Sequence, residues 1–97
     1  MSEINVIHNP EKKRFEAEVD GHLGRTEYMM TGETIIFTHT EVPRELEGQG
    51  IAGHIAKVAL DYARDNNLLV MPLCPFVAGY IRRHPEYRAL LKPGFNV

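Results

Sequence analysis

Val42-Pro43-Arg44-Glu45-Leu46-Glu47-Gly48-Gln49-Gly50-Ile51-Ala52 joins two different kinds of sequence. Ahead of it, Glu33 to Glu41 is apolar and β-branched, the pattern of a strand. Behind it, apolar residues recur at helical spacing. Two closely spaced glycines therefore fall where a strand passes into a helix. The first amides of a helix have no intrahelical acceptor, and the helix dipole leaves them partly positive. Glycines there remove the Cβ atoms that would keep a phosphate from those donors. The junction predicts a site for a phosphorylated ligand, against the plainer alternative of a tight turn with a cap.

The N-terminal half reads as short strands. Ile4, Val6 and Ile7 begin one that stops at Asn9-Pro10. From Arg14 to Asp20 the pattern alternates, with Phe15, Ala17 and Val19 on one side and Arg14, Glu16, Glu18 and Asp20 on the other. That is a sheet with one wet face. Asp20-Gly21 marks a hairpin, a third strand follows around Arg25 to Met30, and Thr31-Gly32-Glu33 turns into the fourth. Short links between successive strands imply an antiparallel meander.

After Gly50 the period changes. Ile51, Ile55, Val58, Ala59, Tyr62 and Ala63 share one helical face; His54, Lys57, Asp61, Arg64 and Asp65 take the other. Asn66-Asn67 ends this helix, because asparagine tolerates the left-handed cap conformation. Leu68 to Met71 is a short buried strand, parallel to the fourth because a helix separates them. Pro72 cannot donate a ladder hydrogen bond, so pairing should fail there. Pro75 can start a helix over Phe76 to His84, and Pro85 breaks it and begins a last turn through Leu91.

The 97 residues fit one domain spanning 1–97, with no internal repeat or linker. A net charge of −2 gives no electrostatic case for nucleic acid. The lone Cys74 cannot form an intrachain disulfide and suits a reducing compartment. An acidic start that leads into no apolar run predicts no signal peptide, and no stretch approaches membrane-spanning length. The expected setting is the cytoplasm. No metal site is expected, since His8, His22 and His54 have no ligand spacing with Cys74.

A nucleotide-binding P-loop would need Gly-Lys-Ser/Thr at the helix start, which is missing. A dinucleotide fingerprint would be answered by an acidic residue at the end of the next strand, which here runs Met71 to Cys74. The chain instead resembles the GNAT N-acetyltransferase superfamily, whose pyrophosphate loop runs Gln/Arg-x-x-Gly-x-Gly/Ala. Glu45-Leu46-Glu47-Gly48-Gln49-Gly50 matches it, with Glu45 departing at the first position. Three further segments are similar to small single-domain GNAT-like enzymes of bacteria and plants: His39 to Val42, Cys74-Pro75, and Tyr80 to Tyr87. The likeness runs from about Ile4 to Leu91.

The resemblance implies an α+β GNAT-like fold: an antiparallel meander, one parallel strand and two main helices. It also implies acetyl-CoA as cosubstrate, in a wedge between the fourth and fifth strands. Backbone amides of Glu47, Gly48, Gln49, Gly50, Ile51 and Ala52 would hold the pyrophosphate. The backbone of Thr40, Glu41 and Val42 would pair with the pantetheine arm as an added strand would. Arg44 would contact a CoA phosphate or remain a solvated arginine. Arg82 and Arg83 either add charge near CoA or form a solvated pair.

Acetyl transfer needs a deprotonated amine, a polarised carbonyl and a proton for the departing thiolate. By alternation Ile35, Phe37, His39 and Glu41 share one face, with His39 near the helix start. His39 is a candidate acid–base residue or a half-buried strand histidine. Cys74, opposite that place, is a candidate acetyl acceptor or a small buried hydrophobe. Tyr80 and His84, four apart on one helix side, are candidates to protonate the thiolate; a local role for the His84 ring at exposed carbonyls competes.

Full-length members of the superfamily continue into strands that help bind the acceptor, whereas only Pro85 to Val97 follows here. The acceptor side should be open or completed by a second molecule, with the chain a monomer or weak homodimer. The expected function is acetyl transfer from acetyl-CoA to an amine, perhaps on a protein or peptide. The rivals are a non-catalytic acyl-CoA-binding module and an interaction protein on the same scaffold, since fold does not fix function.

Overall fold

A computed structural model describes residues 4–97. Five strands, β1 (Val6–Asn9), β2 (Arg14–Val19), β3 (His22–Thr31), β4 (Thr34–Glu41) and β5 (Leu69–Pro72), form one sheet in chain order. The first three pairings are antiparallel and β4–β5 is parallel. Helix α1 (Ile51–Asp65) makes the crossover and α2 (Pro75–Arg83) follows β5, with 3-10 turns at Arg44–Leu46 and Pro85–Leu90. This is the expected α+β architecture.

The alternation in β2 does what its period requires: Phe15 and Ala17 are buried, and Glu16 and Glu18 face away. Asp20 and Gly21 both have positive φ, the geometry of a two-residue hairpin, and β3 starts at once at His22 rather than at Arg25. Ile55, Ala59 and Ala63 of α1 and Val77 and Ile81 of α2 join Phe15, Ile35, Phe37 and Val70 of the sheet in one core. Helix α1 ends in a Schellman cap. Asn67 is left-handed at φ 57, and the Leu68 and Asn67 amides donate to the carbonyls of Ala63 and Arg64. Asp61 departs from the expected wet face, for it accepts a hydrogen bond from Tyr87 Oη at 2.6 Å and one from Lys57 at 2.8 Å. No helix among the described residues is long and apolar enough to cross a membrane.

Strand β4 corrects the sequence expectation at one point. Glu27 stands opposite His39, yet Tyr28 stands opposite Phe37, so Thr38 is an extra residue in a β-bulge. One extra residue reverses the phase of everything beyond it. Ile35 and Phe37 are buried, whereas His39 and Glu41 are exposed and it is Thr40 that turns inward. The four residues do not share a face.

Pro72 takes the last ladder position, opposite Phe37. The Leu73 amide then turns back to Met71 O, and the Cys74 amide donates to Phe37 O at 2.9 Å. Beyond Phe37, the β5 side of Thr38 to Glu41 has no strand partner among the described residues. The strands therefore separate where proline was expected to part them. The outer edge of β5 is not wholly bare, because Leu91 bridges Val70 and the Lys92 amide donates to Val70 O at 3.0 Å.

Candidate functional site

Between β4 and α1, Leu46 pins the connection in the core at 1% exposure. The chain after it runs through Gly48 at φ 84 and Gly50 at φ 72. Nothing lies within 4 Å of a Cβ built on either, so backbone conformation and not crowding demands glycine. Gly50 is the N-cap of α1, no side chain caps the helix, and its first turn has no acidic residue. The dipole of α1 is thus uncompensated at the loop, where an anion would be favoured.

A cleft of about 370 Å³ opens at this junction. It is lined by Val42, Leu46, Glu47, Gly48, Gly50, Ile51, Ala52 and Gly53 from the connection and α1, and by Phe76 and Arg83 of α2. Six residues proposed from sequence for cofactor binding meet here: Val42, Glu47, Gly48, Gly50, Ile51 and Ala52. Gln49 points away and its amide donates to Glu45 O at 3.5 Å. Arg44 is exposed and, like Thr40 and Glu41, absent from the lining. Tyr80 lies just behind: a Cβ on Gly53 would sit 3.8 Å from its ring.

Cys74 caps α2 and is 2% exposed. Its thiol donates to Thr40 Oγ1 at 3.2 Å, and Thr40 shares a 3.1 Å hydrogen bond with the fully buried Thr26 hydroxyl. The bulge therefore gives the sulfur a hydroxyl neighbour. His39 lies on the opposite face, with Nε2 3.2 Å from Glu41 Oε1. Arg25 also pairs with Glu41, at 3.4 Å, and with Glu27 at 2.6 Å. The hydrogen bond with His39, then the charge of Arg25, hold the Glu41 carboxyl below its usual range.

Tyr80 and His84 do project together, with rings stacked at 4.1 Å. Burial pushes the Tyr80 phenol up. The His84 ring is not the group that satisfies the helix-end carbonyls: its backbone amide donates to Tyr80 O and Ile81 O. Leu46, Gly53 and Phe76 of the cleft and the Thr26–Thr40 pair were not singled out from sequence. Arg83 was left between two roles, and the structure puts it on the cleft wall.

The chain belongs to the GCN5-related N-acetyl-transferase family, whose model matches residues 14–90. Among its relatives, Protein NATD1 of Xenopus tropicalis is 32% identical over 97 residues, covering 95% of this chain and 89% of the relative. The human Protein NATD1 is 33% identical over 95 residues, with 93% and 84% covered. The solution structure of a GCN5-like protein from Staphylococcus aureus matches with a TM-score of 0.74 at 25% identity, covering 99% of this chain and 94% of that one.

Proposed function

We propose that this chain is an acetyl-CoA-dependent N-acetyltransferase acting on an amine. The observation that carries the reading is the loop–helix junction: two left-handed glycines and an uncapped first turn opening onto one cleft. Gly48 to Ala52 would receive the diphosphate. The unpaired stretch Thr38 to Glu41 is an edge along which the pantetheine arm could run toward Cys74. Transfer requires the amine to lose a proton and the departing thiolate to gain one. His39, beside that edge and hydrogen-bonded to Glu41, suits the first task better than activation of Cys74. Tyr80, whose raised pKa keeps it protonated, suits the second. The free thiol fits the cytoplasm.

A second reading, a non-catalytic acyl-CoA-binding module, is favoured by the cover over Cys74. Calorimetric titration with acetyl-CoA tests the site itself, and absence of binding would defeat both readings. An acetyl-transfer assay across amines and peptides separates them: turnover is expected, and binding without turnover on any acceptor would leave the binding module.

A further inference from the structure

Arg83 lines the same cleft as the glycine loop, and no carboxylate among the described residues lies within ion-pair distance of it. Among the described residues, the only other ionisable side chain in the lining is Glu47, with which it forms no ion pair. Arg83 is exposed and free of a carboxylate, and beside uncapped helix amides its guanidinium adds a planar fork to the backbone donors of an anion site.

A second observation concerns Gly79, four residues earlier on α2. It is buried inside a helix and has no left-handed backbone that would call for glycine, a poor helix former. Outside the helix's own backbone, the atoms within 4 Å of a Cβ built there are Arg83 Nη1 at 3.5 Å and Arg82 Nη1 at 3.8 Å, ordinary contact distances that show where the two guanidinium groups lie and leave room for a side chain. Helical side chains lean toward the preceding turn, so Arg83 lies back across Gly79 toward Phe76 and the cleft.

We infer that Arg83 is the phosphate clamp of the cleft, taking the CoA diphosphate together with the loop amides. This rests on the acyl-CoA reading given above. Arg83 faces the same space as Gly48, Gly50 and Ala52, so it shares their phosphates and does not reach for the separate 3′-phosphate.

The test is calorimetric titration of the full chain with CoA and with 3′-dephospho-CoA. Arg83→Gln should weaken both by about 10- to 100-fold, the worth of a hydrogen bond to a charged group. Arg82→Gln removes equal charge outside the lining and should change affinity by less than about 2-fold, as a solvent-screened charge does. Gly79→Glu places a carboxylate four residues before Arg83, an attractive helical pair, and should weaken both ligands while α2 stays folded by circular dichroism. Unchanged CoA affinity in Arg83→Gln overturns the clamp and leaves the site standing. A loss confined to CoA overturns the diphosphate assignment, and unchanged affinity in Gly79→Glu overturns the claim that Arg83 acts by being free of a carboxylate. Failure of the unmodified chain to bind either ligand overturns the inference together with the reading beneath it.

Discussion

Thr40 Oγ1 receives the Cys74 thiol at 3.2 Å across the opening between β4 and β5. The same hydroxyl is the partner of Thr26, whose side chain is sealed in the core. Thr40→Val would strand the Thr26 hydroxyl and should lower stability by about 1–3 kcal/mol, the cost of an unsatisfied buried polar group. Adding Thr26→Val should recover part of that loss. Denaturant midpoints of the two single variants and the double variant measure it, and additive losses would show that the hydroxyls are independent.

Acetyl carriage by Cys74 requires its sulfur to displace CoA from the thioester, with the sulfur's proton leaving with the CoA thiol. Mass spectrometry of the protein mixed with acetyl-CoA should then show an acetyl adduct that hydroxylamine or an acceptor amine removes. Cys74→Ser should lose the adduct and most activity, and Cys74→Ala should still bind CoA. An active Cys74→Ala protein would leave direct transfer as the route.

His39 is half exposed and, among the described residues, paired only with Glu41, so removing it should barely move the melting temperature. If it prepares the amine, His39→Ala should cut turnover by roughly 10²–10⁴-fold, the range of a positioned acid–base group. CoA affinity should hold. Turnover that survives at full rate per folded molecule removes His39 from the chemistry.

Gly50→Asp combines two effects: a side chain at φ 72, and a carboxylate facing the anion site. Gly50→Asn introduces a similar strain without the charge, since both residues tolerate this conformation better than most. Affinity for CoA should fall further in the aspartate variant, by about tenfold for each 1.4 kcal/mol of repulsion. Equal affinities by titration would mean that no phosphate lies against the α1 terminus.

Asp61 gives a pH dependence with a definite sign. Burial would raise its pKa, but hydrogen bonds from Lys57 and Tyr87 outweigh it and the carboxyl titrates below its ordinary 3.8. A depressed folded-state pKa contributes stability above the unfolded value and loses it as pH falls through the folded one. Melting temperature should therefore drop below about pH 4, where carboxyls titrate. Tyr87→Phe should lower it at neutral pH and shrink that acid-side drop. An unaltered acid limb in the variant would show that the Tyr87–Asp61 bond contributes little.

Where local rules govern, the sequence could be followed almost residue by residue. Phe15 and Ala17 went inward by period, α1 began after Gly50 and stopped at the asparagines, and proline parted β5 from β4. The bulge at Thr38 was not legible, because alternation counts residues within a strand and a two-against-one register belongs to a pair of strands. That omission put His39 where Thr40 stands. Arg83 was hidden for another reason: its role depends on which way a long side chain lies.

The bridge between Leu91 and Val70 bears on solubility. A bare sheet edge is a template on which other chains can add strands, and proteins commonly blunt such edges with a covering segment. Strand β5 is short and has exposed Leu69 within it and Leu73 just beyond, the kind of edge that invites pairing between copies. A single bridging residue and the turn at Lys92 occupy it midway, which leaves fewer free backbone groups on that edge for another strand to pair with.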